Sequence, residues 1–282
     1  MLEKKLFTHL LKTTILGLML GLFGCGNKTT NTKYNITNRN NNLPLVVATN
    51  SVICDLTKQV AGDTINLICL IPPGINPINY KPIPEDIQAI KNANLVLYHG
   101  YNFEPGLIKT IKEIKNSKLK IAVAQTSDIN TIKIRKNRKQ IIEPHVWHNP
   151  NNTIKMVKII NSSLVKLAPK NKNIYNKNTK AVIQEISQIN SWIKVRLASI
   201  PAKNRKLITT NSAMIYYFKA YDIPYSVNLD NVKNMEKLAI NGLGEPGTKT
   251  ETYQKMIRAN TRVIVESLGG TYLRFYPTNS QK

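Results

Sequence analysis

Acidic side chains are scarce in this sequence. Its 282 residues carry 16 Asp+Glu against 40 Lys+Arg, a formal net charge of +24 with a pI near 9.9. No carboxylate dyad is legible, nor a Ser-His-Asp or Cys-His pairing or a phosphate loop, which argues against an enzyme. Cysteine occurs three times and histidine four, without zinc-finger spacing. A helix-turn-helix pattern and aromatic-basic interleaving are missing as well, so nucleic-acid binding has no motif behind it. Long apolar runs are confined to the first two dozen residues, which excludes a multi-span membrane protein. No repeat of fixed short period occurs.

What is present suffices for a globular body. Apolar residues make up 42% of the chain, enough for one large domain or two modest lobes, and disorder of the whole chain is excluded. The positive charge at first suggests nucleic acid or anionic lipid as a partner. Its composition argues otherwise: 32 Lys, 8 Arg and 34 Asn are spread along the sequence. Lys, Asn and Ile have AT-rich codons, and codon drift yields the same excess without selection for a polyanion.

Residues 1–24 have the pattern of a secretory signal, with Lys4, Lys5 and Lys12 ahead of an apolar stretch, Thr13 to Phe23, too short to span a bilayer comfortably. It ends in Leu22-Phe23-Gly24-Cys25, which resembles the lipobox of bacterial lipoproteins, apart from the bulk of Phe23. The resemblance implies cleavage before Cys25, diacylation of its thiol, and membrane anchoring through that lipid. Cleavage removes three Lys and one Glu and leaves +22, so the signal does not explain the basicity. Residues 25–42, rich in Asn and Thr, form a flexible tether. Cys54 and Cys69 fall in apolar settings, one in a helix and one in a strand. Buried free thiols are the default expectation, with a bridge open to them in an oxidising compartment.

The remainder alternates β-rich runs with helical periodicity. The runs are Leu45 to Thr49, Ile65 to Ile71, Leu95 to Tyr98, Lys120 to Ala124, Leu207 to Thr210 and Arg262 to Glu266. Helices are expected to start at Ser51, as a cap, and at Pro84, Pro105 and Pro150. This predicts an α/β fold with parallel sheets. Asn171 to Ile200 contains neither glycine nor proline, and its apolar residues recur at three- and four-residue steps. A helix of that length spans roughly 45 Å and suits a brace between lobes, at 43–168 and 201–282, with the linking helix at 169–200.

Three stretches stand out from the scaffold: Pro72 to Pro82, Glu143 to Pro150, and Leu207 to Ala213. Each is placed after a strand, where ligands of parallel sheets bind. Together with Leu97 to Lys109 (LYHGYNFEPGLIK), Val46 to Asp63 (VVATNSVICDLTKQVAGD) and the string EPHVWHNP, they resemble the metal-binding lipoproteins of bacterial ABC importers for manganese and zinc, particularly cyanobacterial manganese-type members. The resemblance covers about Leu43 to Glu266. It implies two α/β lobes joined by one rigid helix, a monomer on the extracytoplasmic side of the cell envelope, and permease and ATPase subunits as partners. It also implies Mn²⁺ or Zn²⁺ as the transported ligand, held in the cleft by four side chains.

The ligand positions depart from that pattern. The family's first loop reads GxDPHxYEP; here Ile78 stands at the histidine and Asn76 at the aspartate. His145 keeps the second ligand. Asn211 stands at the third, where it offers a weak neutral amide oxygen. The fourth, an acidic residue, belongs to a segment after Glu266, and Ser267 to Lys282 lacks the expected strand–helix units. His148 and His99 are possible substitutes, and Glu266 aligns with a family glutamate at a strand end, where a structural role is expected. The sequence thus implies a solute-binding protein with an incomplete second lobe and weakened metal binding. The alternatives are a decayed, non-binding copy and a surface adhesion or scaffold lipoprotein.

Overall fold

Short runs of β-branched and leucine residues build the first sheet. In the computed structural model, which describes residues 42–115, 118–136, 139–205, 207–209, 212–227 and 240–278, the chain enters through β1 (Leu45–Ala48), whose Val46, Val47 and Ala48 are fully buried. The signal segment, Cys25, the tether through residue 41 and Asn211 lie outside the described residues. After β1 come α1 (Ser51–Ala61), β2 (Asn66–Cys69), α2 (Pro84–Asn92), β3 (Leu95–Tyr98), α3 (Pro105–Glu113), β4 (Leu119–Ala122) and the one-turn α4 (Val123–Thr126). All four strands pair in parallel, in the order β2-β1-β3-β4. Burial on both faces of the central strands β1 and β3 explains why they read as continuous apolar runs rather than alternating ones.

An antiparallel ribbon follows, β5 (Lys133–Lys136) with β6 (Lys139–Ile142), in a stretch whose basic residues suggest only a loop. Then come α5 (Pro150–Leu167) and α6 (Lys172–Ala198), the long helix. The second part of the chain contributes β7 (Leu207–Thr209), α7 (Ile215–Ala220), β8 (Tyr225–Val227) and α8 (Tyr253–Ser267), with β7 and β8 paired in parallel. The expected α/β class, with parallel sheets and one long helix, is what the chain adopts. Helix α6 packs on α1, α5 and α8. Its buried stripe runs Tyr175, Thr179, Val182, Ile186, Ile189, Ile193 and Leu197, while Ile174, assigned to that stripe by periodicity, is exposed.

Three local expectations are corrected. Helix α1 is capped by Asn50 rather than Ser51, the Asn50 Oδ1 accepting from the Ile53 N–H at 3.1 Å. Residues 262–266 are helical, not a strand, so Glu266 lies on α8. There it forms an exposed pair with Arg262, Oε1 to Nε 2.9 Å, of the kind worth about 0.3–0.5 kcal/mol. Cys54 and Cys69 are not free thiols: they form a disulfide joining α1 to β2.

The two parts are tied together by polar groups as well as by α6. Asp55 on α1 accepts from the Tyr253 N–H at the start of α8 at 2.8 Å, and from Gln59 Nε2 at 2.8 Å. Gln254 on α8 bonds in turn with Gln59 and with Glu185 of α6. Burial pushes the Asp55 carboxyl up to about 6, against the pull of its hydrogen bonds and of Lys58, with Glu185 adding to the rise.

Two predictions follow from these contacts. The disulfide closes a 15-residue separation, so replacing both Cys54 and Cys69 by alanine should cost about 3 kcal/mol of stability, read as a lower urea midpoint that no longer responds to reductant. The folded pKa of Asp55 lies above its unfolded value, so its protonated form favours folding below about pH 4 and that contribution is lost as pH rises through 6. Asp55→Asn keeps an acceptor for Tyr253 and carries no charge. Its stability relative to the parent should rise by on the order of 3 kcal/mol between pH 4 and pH 7.5; urea titrations giving a difference independent of pH would refute the assignment.

Candidate metal-binding cleft

A cleft of about 1450 Å³ opens beyond the carboxyl ends of the first sheet. Its walls come from the start of α1, the 72–82 loop after β2, the Gly100–Phe103 turn after β3, the β5–β6 ribbon, the Glu143–His148 segment, and residues 212–213 and 240–243. Two of the three stretches singled out by sequence, after β2 and after β7, follow strands of parallel sheets. The third, Glu143 to Pro150, follows the antiparallel ribbon instead.

The 72–82 loop is shaped by its own polar groups. Asn76 Oδ1 accepts from the Ile78 N–H at 3.0 Å and caps the turn Pro77–Asn79, so the amide at this position performs the capping an aspartate could. Ile78 lines the cleft, 40% exposed, and offers no donor atom to a metal. At Gly106 a Cβ would come within 2.8 Å of the Tyr80 carbonyl oxygen, so the loop lies directly on the start of α3.

The Gly100–Asn102 turn is a strained segment. Gly100, Tyr101 and Asn102 have φ of 90°, 50° and 55°, and the two non-glycine residues cost on the order of 1–3 kcal/mol each in this conformation. At Gly100 a Cβ would meet that of Gln125 at 2.8 Å. The turn swings Phe103 under the cleft, against His99, His145 and Trp147, with ring centroids 4.9–5.2 Å apart.

His145 lines the cleft and is oriented by a carboxylate. Its Nδ1 bonds to Glu143 Oε1, and its backbone N–H donates to the same oxygen at 3.1 Å. Glu143 is 1% exposed. Burial alone raises its pKa, but hydrogen bonds from His145 and Ser212 and the nearby imidazole outweigh that, and the carboxyl is held below the ordinary glutamate value. Nε2 is therefore the ring nitrogen left for a metal, in the arrangement by which carboxylates fix the tautomer of metal-binding histidines. The acid–Pro–His spacing is the one sequence signal that could have marked Glu143 as this partner.

The other histidines differ. His99 is fully buried, its Nε2 donates to the Pro144 carbonyl at 2.7 Å, and it does not line the cleft. His148 lines the cleft but is nearly enclosed, with Nδ1 lacking a hydrogen-bond partner and its ring centroid 6.4 Å from that of His145. Burial pushes both imidazoles down to about 3. Glu104, which sequence reasoning did not single out, is fully buried and accepts from Thr49 Oγ1 and the His99 N–H, each at 2.6 Å. Burial lifts its carboxyl to about 7. Among the described residues no three His, Cys, Asp or Glu side chains gather as a metal-holding group.

The architecture is that of periplasmic metal-binding proteins. It superposes on the zinc-binding protein TroA of Treponema pallidum with a TM-score of 0.71 at 22% identity, over 80% of this chain and 99% of that one. A manganese-bound periplasmic protein of Candidatus Liberibacter asiaticus superposes similarly, with a TM-score of 0.70 at 20% identity and the same coverage of both chains. The chain belongs to the family of ZnuA, the periplasmic zinc-uptake complex component A, whose profile matches residues 46–234. It is 32% identical over 210 residues to the metal ABC transporter substrate-binding lipoprotein ScbA of Streptococcus cristatus, covering 73% of this chain and 66% of that protein. To the iron ABC transporter substrate-binding lipoprotein MtsA of Streptococcus pyogenes serotype M1 it is 38% identical over 185 residues, 64% of this chain and 59% of that protein. The chain thus spans less than two thirds of these relatives' length.

The buried, neutral state of His99 is directly testable. With a pKa near 3, it should give the nitrogen shifts of a neutral Nε2–H tautomer in ¹⁵N NMR down to pH 5, where a solvent-exposed imidazole is mostly protonated. A protonated signal for His99 at that pH would contradict its burial, and a neutral Nδ1–H tautomer would contradict the Pro144 contact.

Proposed function

We propose that this chain is the extracytoplasmic solute-binding component of an ABC importer for a divalent transition metal, manganese or zinc. The observation that carries the reading is the cleft-facing His145, with Nδ1 taken by a buried carboxylate and Nε2 left to coordinate. Membership of the family and relatives named for manganese and iron support it. Asn211 serves as a weak second donor, and the amide and Ile78 at two family ligand positions leave the affinity lower than a full set of imidazoles and carboxylates gives.

On this reading the protein binds and delivers rather than catalyses. Its partners are a permease and an ATPase, and it works as a monomer attached to the membrane through lipid on Cys25. The Cys54–Cys69 bridge supports an oxidising, extracytoplasmic setting. Residues 1–24 are then the signal, 25–42 the tether, 43–168 the first lobe, 169–200 the link and 201–282 the second lobe. Glu143 sets the imidazole's orientation, so metal uptake should depend on both residues.

Isothermal titration with Mn²⁺ and with Zn²⁺ checks this. His145→Ala should abolish the binding heat, and Glu143→Ala should weaken affinity by about 10–100-fold. Heats equal in parent and His145→Ala, or absent from both, would remove His145 as a ligand.

A further inference from the structure

Resting on the metal-binding reading, we propose that the cleft takes its metal already complexed by a small organic acid, whose carbon frame lies on isoleucine walls while His145 completes the coordination shell. The first observation is where exposed apolar surface gathers. Ile75, Ile78 and Ile141, exposed at 49%, 40% and 39%, all line this one cleft. Ile141 pairs across the ribbon with Ile134, which lines the cleft too, so both the 72–82 loop and β5–β6 present isoleucines to it. Isoleucine side chains give nothing to a bare or hydrated cation, whereas they favour the carbon atoms of an organic ligand.

The second observation is size. A hexahydrated ion occupies about 200 Å³ at ~30 Å³ per water, a small part of the 1450 Å³ available. Clefts lined by apolar and aromatic side chains with a few fixed polar groups are the usual form of a small-molecule site. The third is charge. Lys112 and the Glu143 carboxylate, already paired with His145, both stand on the wall, so the balance is set by the chain as a whole, whose +24 repels a free divalent cation and attracts an anionic carboxylate chelate. Binding is then a ligand exchange in which one water leaves the chelated metal and His145 Nε2 takes its place, without any change of oxidation state.

The test is calorimetric titration of the full-length chain with Zn²⁺ alone, with 1:1 Zn²⁺–citrate, with 1:1 Zn²⁺–nitrilotriacetate, and with each chelator alone. We expect at least one chelate to bind about ten-fold or more tightly than Zn²⁺ alone, the metal-free chelators not to bind, and His145→Ala to lose the chelate. The double variant Ile75→Asn/Ile141→Asn, verified as folded by circular dichroism, should shrink the preference for chelate over bare ion. Bare Zn²⁺ binding as tightly as both chelates overturns the proposal and leaves the metal-binding reading standing. Heat from no metal form overturns both. A chelate preference untouched by the double isoleucine variant overturns the assignment of the walls.

Discussion

Glu143 to His148 crosses the interior without regular sheet structure to satisfy its backbone, and a buried carbonyl left unpaired is costly. Each carbonyl that matters has recruited a side chain from a different part of the fold. Pro144 receives His99 from the end of β3, Val146 receives Asn152 from α5, and Trp147 receives both Thr153 from α5 and the Tyr253 hydroxyl from α8. These bonds draw the first sheet, α5 and the second part of the chain onto one short segment. The Glu143–His145 pair at its head inherits its position from them, and the rings of Phe103 and Trp147 fill the space beside it.

Much of the fold was legible because its punctuation is local. Prolines 84, 105 and 150 open helices where a missing N–H is harmless, and the glycine- and proline-free stretch from 171 to 200 became α6. The failure at residues 262–266 is instructive. Arg-Val-Ile-Val-Glu looks like a strand, yet the buried positions of α8 are 253, 254, 256, 257, 260, 261, 264 and 265, a helical stripe. Three of them are polar: Gln254, which bonds with Gln59 and Glu185, and the pair Asn260 and Thr261. That pair is satisfied by Asn241 and by the Tyr217 hydroxyl, partners that no local pattern reveals, so the stripe was masked in the sequence.

The site was legible at His145 and less so around it. Its imidazole lines the cleft, but the partner that orients it lies two residues earlier and is marked in sequence by nothing beyond the acid–Pro–His spacing. Glu104 was hidden too: its environment is assembled from Thr49, far away along the chain, and from the His99 backbone at the head of the strained turn. The disulfide between Cys54 and Cys69 was undecidable from spacing alone, because it depends on how α1 lies on β2.

Asp55, Gln59, Gln254 and Tyr253 give the molecule a riveted spine. Four groups bridge the back of the cleft, in addition to the length of α6. Swinging one half wide of the other breaks all of them together, whereas the 72–82 loop and the β5–β6 ribbon border the cleft without sharing in those bonds. Rearrangement is therefore cheapest at the lips of the cleft, where the exposed isoleucines sit, and dearest at the joint behind it.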